Sequence, residues 1–243
     1  MKLYFAGADC KISYDNILVS NNAACRLLSF NALKKKYVFN NKFDTYFLDS
    51  GAYSVSTGNA TINIDKYIEY ILNNLNTFDL YATLDVIGDS IETAKNTIYM
   101  EKKGLNPLPV FHYNSPKEYL LHLIDKYDYI AMGGLVPLAC RKKILIPWLD
   151  FCFDIIHDKV RVHGFGINSK IILERYPFYS VDSSSWLSMV KYGRSIYKDK
   201  KPINNKTPEN HLIDTTGEIN YWVNFEKYIT RYWIKKGIYY DDE

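Results

Sequence analysis

The chain has little of what staples a small protein, spans a membrane or marks a strongly charged partner. Four cysteines occur, at positions 10, 25, 140 and 152, and no pair has the C-x₂₋₄-C spacing of a zinc knuckle. They read as reduced thiols, which excludes a disulfide scaffold. No apolar run reaches the ~18 residues of a membrane span. The longest such stretch, Ile144–Ile156, is interrupted by Pro147, Asp150 and Asp154. No secretory leader is evident, so the expectation is a cytoplasmic protein without a membrane partner. Thirty basic and 27 acidic residues leave a net charge of +3. That is too mild to announce a nucleic-acid binder and does not forbid one. Arginine is scarce, 6 residues against 24 lysines, while Asn, Ile and Tyr are plentiful. Lys, Asn, Ile and Tyr share AT-rich codons, so this bias reads as genomic, from a phage or low-GC bacterium, and carries no functional meaning.

What is present is apolar. A composition 47% hydrophobic and 16% aromatic excludes disorder, and 243 residues can bury a core without staples. Short apolar or β-branched runs alternate with helical patterns. Read as strands, these are Lys2–Ala6, Thr45–Leu48, Leu80–Leu84, Pro109–His112, Tyr129–Met132, Val160–His163, Phe178–Val181 and Arg194–Tyr197. Between them, Ile64–Leu75 repeats apolar residues at helical spacing, and Ser115-Pro116 reads as the N-cap and N1 of another helix. Eight strand–helix units in one domain's length predict an α/β fold, a single (β/α)₈ TIM barrel over residues 1–243. The runner-up is an open doubly wound sheet. Lys198–Asn210 reads as a loop and Asn220–Lys236 as an aromatic closing helix packed on the barrel, so 198–243 is a loop plus C-terminal helix.

Barrel enzymes place their chemistry at the C-terminal ends of the strands, where the βα loops form one mouth. The predicted strands end in Gly7-Ala8-Asp9, Asp49-Ser50-Gly51-Ala52-Tyr53, Asp85, His112-Tyr113-Asn114, Gly133-Gly134-Leu135, His163-Gly164-Phe165-Gly166 and Asp182-Ser183-Ser184-Ser185-Trp186. A carboxylate at such a position is costly unless it is paired, hydrogen-bonded or used. Asp49, Asp85 and Asp182 together therefore point to divided labour, one acid as nucleophile or stabiliser and another moving a proton. The glycine pairs let backbone groups approach a flat ligand, and Tyr53, Tyr113 and Phe165 are candidates to sandwich a planar base. His112 and His163 as zinc ligands would require partners that the first strand does not supply, so no metal is expected. A phosphate site on Gly164-x-Gly166 is a weaker reading.

This ordered set resembles the queuine and archaeosine tRNA-guanine transglycosylases, (β/α)₈ barrels with D-S-G-G-F-Q after strand 2, an acid after strand 3, G-G-L-A after strand 5, G-x-G after strand 6 and V-D-x-F-D after strand 7. The likeness runs from Phe47 to Trp186. It is greater still to the short viral and bacterial relatives that exchange guanine in DNA for a 7-deazaguanine. The resemblance implies a pentosyltransferase in which an Asp attacks C1′, guanine leaves, and a 7-deazaguanine such as preQ₀ or preQ₁ replaces it, with no cofactor. It implies Asp182 as nucleophile, Asp49 for acid/base work, and Asp85 and His112 on the base. By the same resemblance, Ser50, Gly51, Gly133, Gly134, Leu135, His163, Gly164 and Phe165 would complete the substrate pocket.

Two departures stand out. Residues 187–243 contain no cysteine, so the family's zinc site and its tRNA-docking elements are missing, which favours DNA over tRNA as partner. A strict register places Ser185 where the family has its nucleophile; Asp182 is the acid available there, with Asp49 as the alternative attacking group. Phosphate contacts would fall to Arg141, Lys142 and Lys143, and to Arg194, Lys198, Lys200 and Lys201. Lys34-Lys35-Lys36 is equally explained as a helix end. The competing functions are a barrel hydrolase or lyase on a small nucleoside or sugar, and a non-catalytic nucleic-acid-binding barrel.

Overall fold

The structure, a computed structural model, describes residues 1–9, 12–33, 39, 42–53, 61–187 and 208–240, with only the backbone of 208–213. Its centre is one sheet of eight parallel strands. These are β1 (Lys2–Phe5), β2 (Cys25–Ser29), β3 (Thr45–Asp49), β4 (Leu80–Tyr81), β5 (Val110–His112), β6 (Tyr129–Gly133), β7 (Arg161–Gly164) and β8 (Ser180–Ser183). Their order is β4-β3-β2-β1-β8-β7-β6-β5. The sheet is curled and TIM-like. One isolated parallel bridge, Ala82 with Leu108, spans the two edge strands. Around the sheet lie α1 (Ile12–Ser20), α2 (Ile64–Leu72), α3 (Ser90–Lys102), α4 (Lys117–Lys126), α5 (Lys142–Ile156), α6 (Lys170–Leu173) and α7 (Pro208–Ile234).

Period-2 alternation divides the strand residues between two cores. On β1, Leu3 and Phe5 join the large cluster that packs the sheet against the helices, while Tyr4, and Ala6 just past the strand, join a smaller one with Cys25, Leu27, Phe47, Ala82, Val110 and Ala131. The smaller cluster is the concave face. The same alternation carries Asp49 from Phe47 and Asp182 from Ser180 onto that face, one step beyond the apolar layer. Helix α7 packs beside β1: the Leu3 N–H donates to Glu226 Oε1 at 2.7 Å, and Trp233 Nε1 donates to Leu173 O at 2.7 Å.

Several boundaries differ from the sequence-based expectation. Cys25–Ser29 is a strand that the pattern did not suggest, because buried Arg26 interrupts its apolar run. The expected strand Arg194–Tyr197 lies outside the described residues, as do Cys10, Lys34-Lys35-Lys36, Arg194, Lys198, Lys200 and Lys201. Helix α2 stops at Leu72 rather than Leu75, since Asn73 caps it. Helix α4 starts at Lys117; Pro116, with ψ 143°, is its N-cap, and Ser115 lies outside the helix. Helix α7 begins at Pro208, so 208–210 is helical and not loop. Among the described residues, no helix is long and apolar enough to cross a membrane.

Candidate active site

The C-terminal ends of the strands open onto one cavity of about 510 Å³, a size suited to a small-molecule ligand or a single base. Its lining includes Asp9, Asp49, Asp85 and Asp182, the backbone of Gly133 and Gly134, the rings of Tyr53 and Phe165, and Ser183, Ser184 and Ser185. The three acids singled out from the sequence therefore meet in one place.

Each acid is held differently. Asp49 Oδ2 accepts the Gly51 N–H at 3.0 Å. Burial first, then the neighbouring Asp85 and Asp182 carboxyls, push the Asp49 carboxyl well above the usual carboxylate range, against the Gly51 N–H. Of the three acids, Asp49 is thus the one whose surroundings favour the protonated form. Asp85 is clamped on both oxygens: Ser50 Oγ donates to Oδ1 at 2.8 Å, and His112 Nε2 lies 2.8 Å from Oδ2. Ser50 Oγ in turn accepts the Ala52 N–H at 3.1 Å. Gly133 is what admits His112, since a Cβ there would stand 2.7 Å from the imidazole Cδ2. Asp182, on β8, accepts the Gly166 N–H on Oδ1 at 2.8 Å, and His163 Nε2 lies 3.5 Å from the same oxygen. Gly166 makes this turn at φ +68°, where a Cβ would stand 2.5 Å from Val136 Cγ2.

The imidazole of His163 is fully buried and wedged between aromatic edges, with Phe165 at 4.6 Å, Phe47 at 4.9 Å and Tyr4 at 6.0 Å between ring centroids. Its Nδ1 lies 2.5 Å from Ser180 Oγ, which lies 2.5 Å from the Tyr129 hydroxyl. Burial lowers the His163 pKa and the Asp182 carboxyl opposes that, so the ring is neutral at physiological pH.

Other predicted site residues take supporting places. Ser50, His112 and His163 are buried behind the acids and do not line the cavity. Gly164 packs on the Phe178 ring, where a Cβ would stand 2.9 Å from Cε1, and the Leu135 side chain is in the large core. Gly51 serves through its N–H. Tyr113 is not a sandwiching ring; it packs edge-on against Trp148 at 5.5 Å. Arg141 and Lys143 are exposed and Lys142 is half-buried. They start α5 directly after Val136 and Ala139, which line the cavity. Among the described residues, these three cations form no ion pair.

Asp9, a fourth acid on the cavity, belongs to no motif in the sequence. It follows Gly7 and Ala8, both left-handed at φ +80° and +56°, a strained turn of the kind that clusters at functional sites. Burial raises its carboxyl, and the Arg26 guanidinium 3.9 Å away pulls it back. Arg26 braces this corner from behind, bonding Asp15 at 2.8 Å and the Phe5, Leu27 and Gly7 carbonyls. A lone arginine inside an apolar run was the signal for that brace. Asn168, which donates to Ser183 Oγ at 3.2 Å, also lines the cavity and carried no motif.

Compared with known proteins, the chain matches no family model and has no significant match to a curated protein.

Proposed function

We propose that this protein is a nucleic-acid guanine transglycosylase that replaces guanine in DNA with a 7-deazaguanine. The observation that carries the reading is the sharing of one cavity by three differently held carboxyl groups, Asp49, Asp85 and Asp182, with burial and its acidic neighbours favouring the protonated form of Asp49. Environments that push like groups apart assign them different jobs. In this reading the curled sheet acts as a (β/α)₈ barrel, joined at the Ala82–Leu108 bridge, with the cavity at its mouth.

The chemistry balances with these residues alone. An Asp182 oxygen attacks C1′ of a deoxyguanosine. The C1′–N9 bond breaks, its electron pair leaves with the guanine, and the Asp49 proton neutralises the departing base. Asp49, now a carboxylate, takes the N9 proton of the incoming 7-deazaguanine. That nitrogen attacks C1′ and releases Asp182. A carboxylate nucleophile suits an oxocarbenium-like centre, as in retaining glycosidases. Asp85, fixed on both oxygens, holds the base's N–H edge. The Gly133–Gly134 backbone and Phe165 offer a flat slot. The base must leave the stack to be reached, and Arg141, Lys142 and Lys143 stand beside the mouth for the phosphates.

The test is incubation with guanine-containing DNA, or tRNA, and isotopically labelled preQ₀ or preQ₁, followed by mass spectrometry of the nucleosides from each polymer. Label in deoxynucleosides, lost in Asp182→Ala, is the expected outcome. Label in tRNA alone changes the substrate. Guanine release without incorporation makes the protein a hydrolase. Absence of both ends the reading.

A further inference from the structure

We infer that Tyr129, Ser180 and His163 form a positioning relay that turns an N–H toward Asp182 and leaves its second oxygen free toward the cavity. The inference rests on the reading of Asp182 as the attacking group, but the geometry behind it is independent of that reading.

The hydrogens of the relay follow from its partners. The Tyr129 hydroxyl and Ser180 Oγ are 2.5 Å apart, as are Ser180 Oγ and His163 Nδ1. All three residues lie on the concave face of adjacent strands, β6, β7 and β8. Two proton arrangements exist. In one, Tyr129 donates to Ser180 and Ser180 donates to His163 Nδ1, so the imidazole proton sits on Nε2 and points at Asp182 Oδ1. In the other, His163 Nδ1–H donates to Ser180 and Ser180 donates to Tyr129. That leaves the Tyr129 proton without its bond and turns a bare Nε2 lone pair toward a carboxylate 3.5 Å away. Neither arrangement pairs every donor, since among the described residues Nε2 makes no hydrogen bond at this distance; the second turns a lone pair on the carboxylate where the first turns a proton, and that charge term makes the first the ground state. Burial holds the Tyr129 hydroxyl in its protonated form, able to donate.

The consequence for Asp182 is specific. Oδ1 receives the Gly166 N–H at 2.8 Å and faces the His163 N–H at 3.5 Å, whereas Oδ2 accepts no hydrogen bond among the described residues. One oxygen is tethered and the other remains for C1′. His163, with Nδ1 occupied and its ring wedged by Tyr4, Phe47 and Phe165, neither shuttles a proton nor binds a metal. It positions, as a neutral donor.

The experiment is nitrogen NMR on ¹⁵N-histidine-labelled full-length protein at neutral pH, with the His163 signals assigned by their loss in His163→Gln. Nδ1 is expected in the acceptor range and Nε2 in the N–H range. The opposite tautomer overturns the relay. Tyr129→Phe keeps the ring over Arg161 and removes only the hydroxyl. It should mix the tautomers and lower the kcat of base exchange about tenfold with KM unchanged; Ser180→Ala should do the same. In a His163→Gln background, whose amide N–H needs no relay, Tyr129→Phe should add no further loss. A Tyr129→Phe protein with the wild-type nitrogen pattern and kcat refutes the relay. The expected nitrogen pattern in a wild-type protein that exchanges no base keeps the relay and removes the transglycosylase reading.

Discussion

Two His–Asp pairs stand at the mouth of this sheet, and they are built to opposite ends. On the β4–β5 side, His112 lies 2.8 Å from Asp85 and Ser50 takes the other oxygen, so both carboxyl oxygens are committed. On the β7–β8 side, His163 lies 3.5 Å from Asp182, one backbone N–H holds the same oxygen, and the second oxygen has no hydrogen bond among the described residues. Among the described residues, each imidazole has one nitrogen without a hydrogen-bond partner, Nδ1 in His112 and Nε2 in His163, and the His163 Nδ1 ends a chain through Ser180 to Tyr129. A doubly clamped carboxylate is a fixed acceptor, good for holding a ligand edge. A singly tethered one retains a lone pair for bond formation. The same pair of residue types thus acquires different chemistry from its second contacts.

The strongest way to break this contrast is Asp182→Ala. It should reduce base exchange on the order of 10⁴-fold or more, while thermal unfolding stays cooperative. Comparable loss from Asp85→Ala with Asp182→Ala active would reverse the assignment of the two sides. Next comes Asp49→Asn, expected to cost on the order of 10²–10⁴-fold in kcat as proton transfer is lost. Asp49 also carries a pH signature. Its folded pKa lies above its unfolded value, so its contribution to stability is complete below about pH 3.9 and is lost as pH rises through the raised folded value. Asparagine stays neutral throughout. The melting temperature of Asp49→Asn relative to wild type should therefore climb from pH 4 to pH 8. A flat difference would mean that Asp49 ionises normally in the fold, leaving no proton donor between the two pairs.

Much of this contrast was legible before the fold. Asp49, Asp85 and Asp182 stood out because carboxyls at strand ends are expensive without a task, and the parallel alternation then put them on one cavity. What stayed hidden was contact information. His112 and His163 read as ligand contacts because strand-end histidines give no sign of which neighbour holds each nitrogen. Their burial behind Asp85 and Asp182 appears only when β4 meets β5 and β7 meets β8 around the carboxyls. Strand β2 is not legible in the sequence because Arg26 sits in a five-residue run, and its charge is satisfied by Asp15, by the Phe5 and Gly7 carbonyls of β1 and its loop, and by the neighbouring Leu27 carbonyl. Asp9 was visible at the end of β1 but lacked a motif, and its value lies in a left-handed turn that composition does not encode.

A smaller effect is expected from Asp85→Asn, which exchanges one acceptor oxygen for a donor. It should cost about 1.5–3 kcal/mol in kcat/KM for guanine-containing substrate and shift preference among purines, read by competition between labelled bases. The smallest and sharpest measurement is Ser50→Ala. The clamp on Asp85 is redundant, since His112 holds Oδ2 when Ser50 releases Oδ1. Losing one neutral hydroxyl donor should cost about 1 kcal/mol, roughly fivefold in kcat/KM, and should appear mainly in KM. Removing both clamps, as Ser50→Ala with His112→Leu, should cost more than the two single changes together, because only then is the carboxylate free to turn. Simple additivity would mean that Asp85 is oriented by something other than its two side-chain partners, and the distinction between a clamped and an open carboxylate would lose its physical basis.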